Sequence, residues 1–141
     1  MRTTDVVRRQ MARVIESHGI TLQQYNVLRI LRGGGSEGVP TLEVAARMIE
    51  ETPGITRLLD RLEAKRWVRR ERCPHDRRQH LCWITKDGAA LVARLDAPVL
   101  AASDTSLKGL KAQERIVLSR LLAAIRAAHE PPPGPADNSR D

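Results

Sequence analysis

Between Thr52 and Thr85 the hydrophobic period changes once, and the change limits what the chain can build. In "TPGITRLLDRLEAK", Ile55, Leu58, Leu59 and Leu62 fall at i, i+3, i+4 and i+7, the single apolar stripe of a helix. Thr52 stands as its N-cap, with Pro53 at the first helical position. Past Lys65 the pattern becomes that of strands: "WVRRER" and "HLCWI" read as two short ones, with "CPHDRRQ" turning between them. Upstream, Pro40 and Thr41 open a short helix through Leu42, Ala45, Ala46 and Ile49. Two helices joined by so short a link form the outline of a helix-turn-helix, here followed at once by a basic hairpin.

The remaining segments are helical. Thr4 to Ser17 places Val7, Met11, Val14 and Ile15 at helical spacing and stops at Gly19. Thr21 and Gln24 are spaced for a capping box, and Ile20 and Tyr25 for a hydrophobic staple. Leu22, Tyr25, Leu28 and Leu31 then run to the loop "GGGSEG". Thr85 starts another helix with Ala89, Leu91, Val92 and Leu95, and Pro98 should bend it. A last helix spans about Leu110 to Ala128. Hydrophobic residues make up 41% of the chain but aromatics only 2%, with no Phe, so the core must be aliphatic, which favours packed helices. The expected fold is mainly α with one small β-hairpin. The apolar surface of the last helix, with Ile116, Val117, Leu118, Leu121, Leu122 and Ile125, is wide for a helix at a monomer's end. The first, fifth and last helices are therefore expected to bury each other across a homodimer. The Pro-rich tail from Glu130 is expected to be disordered.

The net charge of +7 and pI near 10.4 point to a polyanionic partner, nucleic acid ahead of membrane. Nine basic residues against four acidic ones lie between Arg57 and Arg78. No apolar run is long enough to span a membrane and no signal-peptide core follows Met1, so a cytoplasmic protein with no membrane partner is expected. Nothing reads as an enzyme or implies a cofactor. There is no nucleophile–base pair and no paired carboxylates, and "GGGSEG" lacks the Lys of a phosphate loop.

The ordered set "GITLQQYNVLRIL", "ITRLLDRLEAKRWVRRERCPHDRRQHLCWITKDG" and "LKAQERIVLSRLLAAI" resembles the MarR family of bacterial transcription regulators over roughly residues 5 to 128. Its most specific parts are Thr56 to Leu62, then Asp76-Arg77-Arg78, then Ile84-Thr85 with Gly88. The resemblance implies a winged helix-turn-helix plus a helical dimerisation layer. Residues 1–20 would be the N-terminal dimerisation helix, 21–88 the DNA-binding domain, 89–129 the C-terminal dimerisation helices and 130–141 the tail. It further implies a homodimer on a pseudo-palindromic operator, mostly repressing, and in many members a small-molecule effector in a crevice between the layers. Candidates for that crevice are Met11, Arg13, His18 and Tyr25. The chain departs from the family at Arg66, where Gly is common, at Trp67 for Leu, and at Lys111 for an N-capping Ser. His80 and Cys82 stand at inward wing positions that are often Val.

Placed on double-stranded DNA, Thr56 and Arg57 would meet base edges in the major groove, with Pro53 and Arg61 on the same outer face. Thr52 and Gly54 would offer backbone N–H groups to a phosphate. Arg77 and Arg78 would enter a minor groove from the wing tip. Asp76 would brace the turn, and Arg69, Arg70 and Arg72 would hold phosphates or scaffold pairs. The plain alternative is that these arginines form a solvated face. Cys73, His75, His80 and Cys82 lack the spacing of a zinc ribbon, and no metal is expected. Cys73 and Cys82 flank the wing and could form an oxidation switch, with nearby arginines favouring a thiolate. A different class of reading is a winged-helix module that contacts protein or RNA.

Overall fold

The structure is a computed structural model and describes residues 2–48, 54–76 and 78–129. Its elements run α1 (Arg2–Glu16), α2 (Leu22–Arg32), β1 (Val39–Pro40), α3 (Thr41–Arg47), α4 (Ile55–Ala64), β2 (Val68–Arg72), β3 (His80–Ile84), α5 (Lys86–Ser106) and α6 (Ala112–His129). The three strands form one antiparallel sheet in the order β1-β3-β2. This is the mostly helical fold with a small sheet that the sequence implies. The edge strand β1 is an addition, since two residues ending in Pro carry no strand pattern. Among the described residues, no helix is long and apolar enough to cross a membrane.

The chain divides into two compact units, residues 1–104 and 105–141. In the first, Leu58, Leu59 and Leu62 of α4 are buried with Val27, Leu28 and Leu31 of α2, Val44 of α3 and Leu91, Val92 and Leu95 of α5. Aliphatic side chains fill this core, with Tyr25 the one buried aromatic. In the second unit no residue of α6 is buried, and Ile116, Val117, Leu121, Leu122 and Ile125 are exposed.

Local sequence explains the element ends. Thr21 accepts a hydrogen bond from the Gln24 N–H at 3.2 Å, and the Thr21 N–H donates to the Gln24 side chain at 3.1 Å, the reciprocal capping box that the spacing predicts. The start of α4 differs from the sequence expectation. Gly54, at φ +92°, is the N-cap residue, and α4 runs from Ile55. Thr52 and Pro53, like Ile49, lie outside the described residues. At the other end of α4, Arg66 has φ +59°. Its N–H donates to the Glu63 carbonyl at 2.8 Å and the Trp67 N–H to the Leu62 carbonyl at 3.0 Å. This bonding is a Schellman cap, with Arg at the position usually held by Gly.

The turn into α5 is tied to that cap. The Thr85 hydroxyl donates to the Arg66 carbonyl at 2.7 Å and accepts from the Gly88 N–H at 3.1 Å. Gly88 is required here by close approach, because a Cβ would overlap the Trp67 carbonyl. α5 continues through Pro98. α6 is opened by the Lys111 N–H donating to the Glu114 carboxylate at 2.6 Å, a half box that stands in for a Ser cap.

Candidate nucleic-acid interface

α4 separates its residues as its sequence predicts. Leu58, Leu59 and Leu62 are buried, whereas Thr56, Arg57, Asp60 and Arg61 are exposed on the outer face, and Gly54 is exposed at the helix start. Arg57 and Arg61 form no ion pair among the described residues. The hairpin rises beside this face. β2 and β3 pair from Val68↔Ile84 to Arg72↔His80, and the Cys73 N–H donates to the Gln79 carbonyl at 2.9 Å, closing a tight loop.

Asp76 holds that loop as expected. Its carboxylate accepts from the Arg78 N–H at 2.9 Å and its carbonyl accepts from the Gln79 N–H at 3.0 Å. Arg78 is exposed at the tip. Arg77 lies outside the described residues. Between the tip, α3 and the first turn of α4 lies a cleft of about 280 Å³, lined by Thr41, Leu42, Thr56, Arg70, Arg78, Gln79 and His80. The cleft brings Thr56 and Arg78, read separately as base-reading and groove-entering residues, to one surface.

The arginines at the base of the wing divide by role. The Arg69 guanidinium sits 4.2 Å over the Trp83 ring and pairs with Glu71. Both members of that pair are more than half exposed, so the contact leaves Arg69 open to solvent. Trp83 is pinned in turn, its indole N–H donating to the Ser36 carbonyl at 2.9 Å. Arg70 points back to α4. Its Nε and Nη2 donate to the Glu63 carboxylate at 2.9 and 2.6 Å, and Nη2 also donates to Asp60. Burial pulls the proton affinity of Arg70 down, but the bonds to Glu63 and Asp60 outweigh it, so its pKa rises and it stays charged. Arg72 is exposed and forms no ion pair among the described residues.

The cysteine pair needs correction. Cys82 is fully buried opposite Arg70, whereas Cys73 lies three residues further along β2. Three residues of strand are about 10 Å, and an odd offset turns the side chains to opposite faces. A bridge requires Cα atoms within roughly 7 Å, so no disulfide joins them in this register. Both cysteines are free. Burial pushes the Cys82 thiol up, partly offset by its contact with the Thr41 hydroxyl, and so opposes the thiolate that nearby arginines would favour. His80, expected at an inward wing position, also differs from that reading. It shares the face of Cys82 but is exposed, because β3 runs past the helices that cover the core.

The expected effector residues lie on α1 (Met11, Arg13), in the turn after it (His18) and on α2 (Tyr25). Tyr25 is buried in the core with Arg29 5.9 Å from its ring, and burial raises its pKa. Arg13 and His18 are exposed, and a His18 ring nitrogen lies 2.9 Å from the Val14 carbonyl. Met11 is half-buried, and none of the four lines the wing cleft. Sequence reasoning did not single out Glu63, His80 as a cleft residue, or Thr41. Only Glu63 carried a signal, an acid one turn after Asp60 on the same helix.

Known proteins share this fold. The model of the MarR family matches residues 18–79, from the end of α1 to the wing. The chain is 33% identical over 113 residues to the HTH-type transcriptional regulator TtmR of Methylorubrum extorquens, covering 80% of this chain and 56% of TtmR. It therefore spans little more than half of that relative's length. Over 107 residues it is 33% identical to the multiple antibiotic resistance protein MarR of Salmonella typhimurium, covering 75% of this chain and 73% of that protein. Among solved structures, a mutant of Escherichia coli MarR complexed with operator DNA aligns with a TM-score of 0.78 at 27% identity, covering 88% of each chain.

Proposed function

Because this chain belongs to the MarR family, we propose that it is a homodimeric, sequence-specific DNA-binding regulator that represses from a pseudo-palindromic operator. The observation that carries the proposal is the single surface on which the exposed face of α4 and the Arg78 wing tip flank one cleft. A helix of this kind can enter the major groove with Thr56 and Arg57 at base edges, while the wing reaches the neighbouring minor groove. The +7 charge supports a polyanionic partner. Arg61 and Arg72 would hold phosphates, as would Gly54 with its backbone at the start of α4. Thr52, Pro53 and Arg77 belong to the same proposal from the sequence alone.

The dimer half of the reading is supported by the exposed apolar row on α6, which lacks cover within the described residues. A second copy would supply that cover, through the helices of residues 1–20 and 89–129. Paired recognition helices would then sit about 34–36 Å apart, one turn of duplex. Release by a small effector, and a cytoplasmic location, rest on the family alone.

Selection of bound fragments from random duplex DNA tests the proposal. The expected result is an inverted repeat, with binding that weakens steeply as salt rises. A chain that retains no duplex, or selects a site without dyad symmetry, refutes it and favours a protein- or RNA-contacting module.

A further inference from the structure

The double ion pair of Arg70 is unusual for its position. Asp60 stands on the exposed face of α4 between Arg57 and Arg61, where its charge opposes any approach of phosphate. Glu63 lies one turn on, and both carboxylates take the guanidinium of an arginine from β2, a different element. The Arg70 side chain is only 18% exposed, and its strand partner is the fully buried Cys82. Arg70 is therefore charged but withdrawn from solvent, with Nε and Nη2 both donating to Glu63 Oε2 and Nη2 also donating to Asp60. The same guanidinium lines the wall of the cleft that separates Thr56 from Arg78.

We infer that Arg70 is a positioning residue: by gripping Asp60 and Glu63 it sets the angle of the wing to α4, so that helix and wing tip meet the duplex in one register. The inference rests on the DNA-binding reading above and adds a residue that acts without touching the nucleic acid. It also explains why a carboxylate is kept on a face that meets a polyanion. Asp60 holds the wing in place, and that role outweighs its repulsion of phosphate.

The signs of two effects separate this role from simple electrostatics. Removing a negative charge near DNA should tighten binding, whereas removing a positioning contact should weaken it. The test uses the full chain and a duplex selected by it from random DNA, with Glu63→Gln, Arg70→Gln and the double variant titrated at several salt concentrations. Glu63→Gln is nearly isosteric, and thermal unfolding of each variant checks that it folds. The expected result is a loss of about tenfold for either single variant, no further loss in the double, and an unchanged salt slope. Base substitutions at the flanking, wing-facing pairs should then matter less than in the parent, while those facing α4 keep their effect.

Tighter binding by Glu63→Gln would overturn the inference. So would a salt slope for Arg70→Gln reduced by about one, the mark of a lost phosphate contact. If the parent chain retains no duplex, the functional reading itself fails, and this inference with it.

Discussion

Arg66 offers the sharpest test of how sequence and backbone disagree in this molecule. Its φ of +59° places a Cβ where L-residues meet the following carbonyl, which costs roughly 1–2 kcal/mol. The strain persists because the Schellman bonds to Glu63 and Leu62 and the Thr85 bond to the Arg66 carbonyl all require that conformation. Glycine would remove the penalty and keep the bonds, since all of them use backbone atoms of residue 66 or its neighbours. The Arg66 side chain is exposed, so little packing is lost. Against the gain stands the greater freedom of Gly in the unfolded chain, about 0.5–1 kcal/mol. Arg66→Gly should therefore stabilise by about 0.5–1 kcal/mol, raising the melting temperature by roughly 2–5 °C for a chain of this size. Arg66→Ala, which keeps the Cβ, should stay within about 0.5 kcal/mol of the parent. Urea unfolding at one fixed protomer concentration reads both values, because an associating chain's stability depends on concentration. If Gly destabilises, or if Ala gains as much as Gly, the strain at residue 66 is not what limits this turn.

Further outcomes follow from other contacts. Gly88→Ala should destabilise by about 1–3 kcal/mol by circular dichroism melts, because its Cβ would be driven into the rigid Trp67 carbonyl. Cys73 should be alkylated in the folded protein well before Cys82, with mass spectrometry of peptides as the readout, since Cys82 is buried and its thiol holds its proton. The raised pKa of Cys82 has a definite sign. The unfolded thiol ionises first, so Cys82 costs stability as pH rises above about 8.5, and Cys82→Ala should flatten that decline. Asp96 is shifted the other way, held down chiefly by its hydrogen bond from Arg32 at 2.8 Å. Its contribution is present above the ordinary carboxylate pKa of about 3.9 and is lost as pH falls below it, so the effect of Arg32→Ala should be largest near neutral pH and shrink as the carboxylate is protonated. Leu121→Glu on α6 should shift the mass in sedimentation toward the protomer, and an unchanged dimer would exclude that face as the interface.

What could be read from the sequence, and what could not, divides by the range of the interactions. The capping box at Thr21, the apolar stripe of α4 and the brace at Asp76 are each decided within four residues, and each stands where the local pattern puts it. The hairpin was legible as two strands, but its register was not. Register follows from how many residues the turn consumes, and it decides which side chains face each other. Here it sets Cys82 against Arg70, leaving Cys73 beyond reach, and ends cover before His80. The Arg70 grip on Asp60 and Glu63 was hidden for the same reason, since it exists only once the angle between hairpin and helix is fixed. Arg66 is the reverse case, a position where the sequence argues against the backbone and tertiary bonds prevail. A local rule is overridden there because Thr85, Trp67 and Gly88 meet at that corner, where α4, the hairpin and α5 join. The bonds at this corner run through backbone atoms that Gly keeps, so relieving the strain should change stability more than it changes where the wing points.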